Sequence, residues 1–144
     1  ALHRLPVMFI CENNQYATAT HISERQPATP ISERVRPFMW SVGIDDDNMP
    51  EIWSVAKECR EARPGFMEIQ TYRYREHVGP NYDWDLGYRT EWEVLDHMSR
   101  DPLQTVKGYL SAASSSQIED QTRRLVTTAF ELADKAPWPE ASWA

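Results

Sequence analysis

Two groups of polar residues in this sequence have types and spacing that could carry chemistry. Asn13 and Asn14 come directly after an apolar run that begins at Leu5, and Arg75 and His77 follow a later β-rich segment. An amide oxygen and a nearby backbone carbonyl are ligands that suit a hard cation such as Mg²⁺. A histidine titrates near neutral pH and can act as a general acid or base. If both segments are strands of one parallel sheet, these groups follow its carboxyl ends, where such sheets bind ligands.

Each of these residues also has an ordinary structural interpretation. Two adjacent asparagines are typical of a turn, and a lone loop histidine is typical of an exposed surface. Arg73 and Arg75 could bind phosphate, but such a pair also suits a solvated strand edge. The acidic run at 45–48 ("DDDN") lacks the spacing of a calcium loop, so we interpret it as a turn and helix cap. The residues alone therefore indicate a ligand-binding edge without identifying its ligand.

The composition is typical of one globular domain. The chain has 144 residues, of which 41% are hydrophobic and 26% are charged, so a disordered chain is not expected. A net charge of −7 argues against nucleic-acid binding, and no apolar run approaches the ~20 residues that cross a bilayer. Cys11 and Cys59 fall in an apolar strand and on an apolar helix face. We expect both to be buried free thiols in a reducing, cytoplasmic compartment.

The elements that must position the polar groups follow the order strand, loop, strand, helix, strand. The sequence predicts strands at Leu5–Cys11, Ser41–Asp45 and Phe66–Tyr74, and a short helix at Ser32–Met39. The first strand, a continuous apolar run, should be covered on both faces. This order is typical of an α/β domain with a parallel sheet.

The helix between the second and third predicted strands has clear start and stop signals. Asn48 and Glu51 have the spacing of a capping box, and "RPG" at 63–65 ends the helix. The apolar residues recur at the helical period and form one face. That face consists of Ile52, Val55, Ala56, Cys59 and Ala62.

The C-terminal part is predicted to be an ordered functional loop at 75–89 followed by three helices. Their caps are Thr90 with Glu93, Asp101 with Pro102 and Gln104, and Ser116 with Glu119. We interpret 111–116 ("SAASSS") as a linker and 136–144 as an irregular end. The last helix carries a broad apolar stripe: Ile118, Leu125, Val126, Ala129, Leu132 and Ala133. We expect residues 1–89 to form the α/β domain and residues 90–144 a helical extension packed on it.

Five segments, in order, resemble the alpha subunits of thiamine-diphosphate-dependent 2-oxo-acid dehydrogenases, a group that includes the pyruvate, branched-chain and acetoin enzymes. They are 5–20 ("LPVMFICENNQYATAT"), 42–48 ("VGIDDDN"), 56–77 ("AKECREARPGFMEIQTYRYREH"), 87–103 ("GYRTEWEVLDHMSRDPL") and 130–140 ("FELADKAPWPE"). The resemblance covers nearly the whole chain. It implies a partial thiamine-diphosphate-binding fold, in which a short, mainly parallel sheet is flanked by helices and followed by a helical C-terminal segment.

The same resemblance implies roles for four residues. Asn14, through its side chain, and Tyr16, through its backbone carbonyl, would bind a Mg²⁺ ion that holds the cofactor's diphosphate. Arg73 would approach the diphosphate. His77 would lie near the cofactor and assist acyl transfer to a lipoyl carrier. A further pair, Tyr88 and Arg89, would help to order the loop that carries His77.

The sequence also departs from the family pattern. The family's Gly-Asp-Gly motif, whose Asp is a metal ligand, does not precede Asn14, so we expect this chain to be inactive alone. The Asp would come from another segment or chain. Val78 stands where mammalian relatives have a phosphorylated serine. The loop at 78–86 is longer than the common pattern, so the substrate of any one relative cannot be assigned to this chain.

The resemblance implies a beta subunit and a lipoyl-bearing acyltransferase as partners in a complete complex. A second copy of the chain, or the N-terminal half of the subunit, is expected to complete the fold. An alternative is that the chain is a non-catalytic α/β module, derived from the same family, that oligomerises or binds a partner through its aromatic-rich surface.

Overall fold

A computed structural model of the chain describes residues 1–46 and 48–138. The chain divides into two compact units, Ala1–Thr105 and Val106–Ala144. Residues 136–138 are irregular, as predicted, while the rest of that end and Asp47 of the acidic run lie outside the described residues. Within the described part, none of the helices has both the length and the apolar character that crossing a membrane needs.

The first unit is built around a three-stranded parallel sheet. Its elements, in chain order, are β1 (Met8–Asn13), β2 (Tyr16–Ala17), β3 (Thr20–His21), α1 (Ile31–Val35), β4 (Trp40–Asp45), α2 (Met49–Ala62), β5 (Gly65–Gln70) and α3 (Glu91–Ser99). Strand β5 lies between β1 and β4, and β2 and β3 form a separate antiparallel pair. Asn13 and Asp45 both lie opposite Gln70 in the register, so all three parallel strands end at one edge. The predicted α/β class with a short parallel sheet flanked by helices is confirmed.

The core of this unit lies between α2 and the sheet. Ile44, Cys59 and Met67 are buried there, and the partly buried residues around them are Val42, Ile52, Val55, Ala56 and Ile69. The predicted apolar face of α2 therefore faces the sheet. Cys59 is a buried free thiol, as predicted, but the free thiol of Cys11 is only partly buried. The prediction of a buried Cys11 is wrong because Cys11 lies on the edge strand β1.

The predicted helix caps at three positions are confirmed. Asn48 Oδ1 accepts a hydrogen bond from the Glu51 amide at 3.3 Å, and Asn48 Nδ2 donates to Glu51 Oε2 at 2.5 Å. Thr90 Oγ1 accepts from the Glu93 amide at 3.2 Å at the start of α3. Asp101 caps α4 (Pro102–Lys107) by accepting from the Leu103 amide at 2.8 Å. Such bonds satisfy amides that have no partner within the helix.

The predicted linker at 111–116 and the predicted cap of Ser116 with Glu119 are wrong. Helix α5 runs over Ala112–Lys135 in the second unit, and Ser111 Oγ caps it by accepting from the Ser114 amide at 3.1 Å. The serines of 114–116 are therefore helical. Serine lowers helix stability only modestly, and the cap at Ser111 stabilises the start of the helix by more than that cost. The apolar stripe predicted for this helix is exposed at Ile118, Leu125, Val126 and Leu132.

The other differences from the predicted boundaries concern element ends. Helix α1 ends at Val35 instead of Met39, because Pro37 has no backbone N–H to make the next helical hydrogen bond. Strand β5 ends at Gln70 instead of Tyr74, because β1 and β4 end opposite that residue and offer no further partner. The expectation that the first strand is covered on both faces is wrong. Strand β1 is an edge strand, with Phe9 48% and Ile10 49% exposed.

Candidate functional site

The candidate site begins with a tight turn at the carboxyl end of β1. Asn13 Oδ1 accepts a hydrogen bond from the Gln15 amide at 3.1 Å, and Asn14 Oδ1 accepts from the Tyr16 amide at 3.0 Å. Two successive asparagines thus each close a turn with their own side chain, as Asx turns do. Gln15 takes the left-handed conformation between them, with φ of +66°. The turn is therefore held by its own side chains, and Asn14 and Tyr16 have fixed relative positions.

A buried carboxylate lies directly behind this turn. Glu68, in the middle of β5, is 0% exposed. Its Oε1 accepts from Asn13 Nδ2 at 2.6 Å and from Gln70 Nε2 at 2.9 Å, and its Oε2 accepts from the Ser32 amide at 2.7 Å. Burial would raise the pKa of Glu68, but hydrogen bonds from Ser32 and from the two side-chain amides lower it below its usual value. Glu68 is thus an ionised group at neutral pH that is satisfied by neutral donors.

The ring of Tyr16 is anchored by a second carboxylate. The hydroxyls of Tyr16 and Tyr72 both donate to Glu93 Oε1, at 2.8 and 2.9 Å. Burial and the hydrogen bond to Glu93 raise the pKa of Tyr72 to about 12, so it stays a donor throughout the physiological range. Tyr16 also makes an edge contact with the ring of Tyr88, with centroids 5.7 Å apart. Helix α3 therefore fixes the turn after β1 to the segment after β5.

The loop after β5 is organised by a buried ion pair between Asp83 and Arg89. Both side chains are almost fully buried, and Arg89 Nε donates to Asp83 Oδ1 at 2.7 Å. Arg89 also donates to the backbone carbonyls of Arg73 at 2.5 Å and Arg75 at 3.1 Å. The Tyr88 hydroxyl donates to Asp83 Oδ2. A single arginine thus fixes the path of the backbone where the loop leaves the sheet.

Arg73 joins this loop to the turn after β1, whereas His77 lies apart. Arg73 Nη2 donates to the Thr18 carbonyl at 2.8 Å, and its Nη1 lies 3.6 Å from Asp83 Oδ2. His77 is exposed and has no hydrogen bond, ion pair or ring contact with any other described residue. The structure therefore brings Asn14, Tyr16 and Arg73 to one edge of the sheet. It leaves His77 on the outside of the loop.

Two of the cavities at this edge lie next to the turn and the ends of the parallel strands. One of about 490 Å³ is lined by Asn13, Gln15 and Glu68 together with the segment from His21 to Ile31. A smaller one of about 100 Å³ lies between the ends of β4 and β5 and residues His97 and Arg100 of the α3 end. Neither is lined by Asn14, Arg73 or His77. The larger cavity is lined by Asn13 and Gln15 of the turn and by Glu68 behind it.

The donor chemistry of the turn fits a hard cation. Asn14 Oδ1 uses one lone pair for the Tyr16 amide and keeps a second, and the Tyr16 carbonyl adds another neutral oxygen. Over residues 1–46 and 48–138, no group of three or more His, Cys, Asp or Glu side chains is placed to hold a metal ion. The turn therefore offers part of an oxygen-ligand set that a carboxylate and phosphate oxygens would complete.

Three carboxylates central to this edge were missed by the sequence reasoning. Glu68 carries a weak signal, because a single charge interrupts the otherwise β-rich run "FMEIQ". Asp83 and Glu93 carry none, since acidic residues in a polar loop and in a first helical turn are common. Their roles depend on contacts with residues far away in the sequence.

An α/β domain with a polar turn and a clamped loop at one sheet edge is the class that these observations define. The family model described as "Dehydrogenase E1 component" matches residues 1–142. The chain belongs to this family.

Curated relatives agree with that assignment. The chain is 33% identical to the 2-oxoisovalerate dehydrogenase subunit alpha of Bacillus subtilis, with 99% of this chain and 47% of the relative covered. It is 31% identical to the pyruvate dehydrogenase E1 component subunit alpha of Rhizobium meliloti, over 99% of this chain and 44% of the relative. It is 34% identical to the subunit of the same name from Zymomonas mobilis, with 96% of this chain and 42% of the relative covered. The chain therefore spans about half the length of the curated relatives it matches.

Proposed function

We propose that this chain forms part of the alpha subunit of a thiamine-diphosphate-dependent dehydrogenase. The complete enzyme would decarboxylate a 2-oxo acid or cleave acetoin, and it would pass the acyl group to lipoamide. The observation that carries the proposal is the turn at Asn13–Tyr16, which sits at the carboxyl edge of a parallel sheet and is tied to Arg73 through the Thr18 carbonyl. Family membership and the names of the relatives support it.

In this proposal the turn holds the metal and the loop presents the acyl-transfer residue. Asn14 Oδ1 and the Tyr16 carbonyl would bind Mg²⁺, and the guanidinium of Arg73 would neutralise part of the diphosphate charge. Thiamine diphosphate, when bound, supplies the carbon nucleophile and the electron sink for decarboxylation. His77, exposed on its loop, would meet the lipoyl group that a partner protein carries and would transfer a proton there.

The wider setting also belongs to the proposal. The partners would be a beta subunit and a lipoyl-bearing acyltransferase, and the site of action would be the cytoplasm, which suits the two free cysteines. Pyruvate, a branched-chain 2-oxo acid and acetoin stay open as substrates. The relatives that support the proposal carry different substrate names.

We expect the purified 144-residue chain to show no decarboxylase activity by itself. The oxygens that its turn offers are neutral, whereas a protein site for Mg²⁺ and phosphates usually includes one or two carboxylates. Release of CO₂ from pyruvate and from branched 2-oxo acids would be followed in the presence of thiamine diphosphate and Mg²⁺. Turnover above the no-protein rate would contradict the expectation.

The proposed site is tested by calorimetric titration of thiamine diphosphate with Mg²⁺ into the chain. Asn14→Ala should abolish any heat of binding, while Asn48→Ala, which removes the cap of α2, should leave it unchanged. Binding that survives Asn14→Ala would contradict the assigned role of Asn14. Absence of binding in the wild type would count against the proposed function of this chain.

A second candidate function is a non-catalytic module that oligomerises or binds a protein partner. The exposed apolar residues Phe9 and Ile10 of β1 favour it, since an uncovered edge strand is a ready surface for association. The titration separates the two candidates, because this module has no reason to bind thiamine diphosphate.

A further inference from the structure

Glu68 is an unusual residue for the centre of a strand. Its neighbours Met67 and Ile69 face α2 and the core, and Glu68 lies on the opposite face with no exposed surface. Burying a carboxylate is costly unless hydrogen bonds replace its hydration. An apolar residue would avoid that cost, so a carboxylate at this position indicates a specific structural role.

That role follows from the fact that an ionised carboxylate accepts hydrogen bonds and cannot donate them. An ionised Glu68 can only accept, so the side-chain amide of Asn13 must turn its NH₂ group towards Glu68 Oε1, 2.6 Å away. The amide oxygen of Asn13 then points to the Gln15 amide, from which it accepts at 3.1 Å. If the acceptor at position 68 were lost, the Asn13 side-chain amide could flip. It would then direct its NH₂ group, instead of its oxygen, at the Gln15 N–H.

The orientation of Asn13 sets the start of the whole turn. The bond to Asn13 Oδ1 restrains Gln15 in its left-handed conformation, and the next bond, from Tyr16 N to Asn14 Oδ1, follows directly. The second oxygen of Glu68 accepts from the Ser32 amide in the first turn of α1. Glu68 therefore connects the end of β1 to the helix that covers the same face of the sheet.

We propose that Glu68 is a positioning residue for the turn at Asn13–Tyr16, where it fixes the Asn13 amide so that Asn14 and Tyr16 present their oxygens together. The identity of the ligand, Mg²⁺ with thiamine diphosphate, rests on the proposed function. The effect of Glu68 on the turn does not rest on it. The two parts can therefore be tested separately.

The first test needs no ligand. Amide hydrogen exchange of Gln15 and Tyr16 is measured by NMR in the wild type and in Glu68→Gln, with Met67 as a reference amide in the sheet. A glutamine has one acceptor and one donor in place of two acceptors, so it cannot serve both Asn13 and Ser32. We expect exchange of the Gln15 amide to accelerate on the order of tenfold more than that of Met67.

Two further variants separate positioning from general damage. Glu12→Gln makes the same change on the exposed face at the end of β1, and it should leave both turn amides unchanged. The double variant Asn13→Asp with Glu68→Gln reverses the polarity of the contact, because the new carboxylate accepts from the new amide and still accepts from Gln15. It should restore slow exchange at Gln15.

Two results would overturn the proposal. One is equal acceleration at Gln15 and Met67 in Glu68→Gln, which is what a loss of overall stability produces. The other is failure of the double variant, when folded, to slow exchange at Gln15. If Glu68→Gln does not fold, Asn13→Ala removes the other end of the contact, and normal Gln15 exchange in that variant would also overturn the proposal.

The second test measures the consequence for the ligand. Titration with Mg²⁺ and thiamine diphosphate should show affinity reduced about 10- to 100-fold in Glu68→Gln, as for other residues that orient a metal ligand, and recovered in the double variant. Unchanged affinity in Glu68→Gln, with wild-type binding that Asn14→Ala abolishes, would refute a role towards the ligand and leave the proposed function standing. Absence of binding to every variant would count against the proposed function of this chain, while the exchange data would still decide the role of Glu68.

Discussion

At the scale of single residues, the ion pair of Asp83 and Arg89 carries the clearest energetic prediction. Asp83→Asn removes the charge that compensates a buried guanidinium, and breaking such a pair costs about 3–5 kcal/mol. We therefore expect a loss of that size in the free energy of unfolding, measured in urea by tryptophan fluorescence. Asp85→Asn, two residues further on and exposed, should change it by less than about 0.5 kcal/mol. Equal effects of the two variants would contradict the assignment.

The same carboxylate should make stability depend on pH. Burial raises the pKa of Asp83, but the hydrogen bonds and charges of Tyr88, Arg89 and Arg73 lower it by more than burial raises it. The pKa of Asp83 in the folded protein therefore lies below the ordinary value of about 4. The stabilisation is then fully present above about pH 4 and is lost as the pH falls through the folded pKa. Urea midpoints between pH 7 and pH 3 should fall less steeply in Asp83→Asn than in the wild type. Parallel curves would refute this.

Which site residues could be predicted from the sequence depended on local motifs. Asn14, Tyr16, Arg73 and His77 stand in segments that resemble the family, and their roles stay proposals. Glu68 could not be found in this way, because its partners Asn13 and Ser32 lie 55 and 36 residues away along the chain. The role of such a buried charge can be assigned only when the arrangement of the strands that bring its donors together is known.

At the scale of elements, the contact between the end of α2 and the start of β5 is the tightest test of packing. A Cβ added to Gly65 would collide with the carbonyl oxygen of Cys59 and lie 2.7 Å from its Sγ. Backbone cannot move aside as a side chain can, so Gly65→Ala should cost about 1–3 kcal/mol or more in the free energy of unfolding. Gly43→Ala meets only the side chain of Ser32, whose hydroxyl lies 3.0 Å away, and should cost about 1 kcal/mol or less. A cost for Gly43→Ala as large as that for Gly65→Ala would contradict this difference.

Helices with side-chain caps were predictable, and element ends that depend on other elements were not. The caps Asn48 and Thr90 act on amides three residues away, so local sequence contains the whole interaction. The end of β5 depends instead on where β1 and β4 stop. The start of α5 was misjudged because a serine-rich run suits a linker and a capped helix equally well until Ser111 is seen to cap.

At the scale of the whole molecule, the uncovered strand β1 predicts self-association of the chain. Phe9 and Ile10 lie on opposite faces of an edge strand, and each is about half exposed, which leaves both an apolar surface and unpaired backbone groups. Light scattering of the purified chain should therefore show a mass above that of one copy, rising with concentration. A monomer at every concentration would count against this surface as an interface.

A charged residue on the strand decides whether β1 is the cause. Phe9→Lys places a charge on the edge, a change by which natural sheets avoid pairing with one another, and it should shift the mass towards one copy. Phe38→Lys makes the same change at another exposed phenylalanine, which lies in a turn outside the sheet, and it should leave the mass unchanged. Association that only Phe9→Lys relieves would mean that β1 needs a partner strand, and this need would hold whether the complete protein is an enzyme or a binding module. Association unaffected by Phe9→Lys would move the search to the exposed apolar stripe of α5.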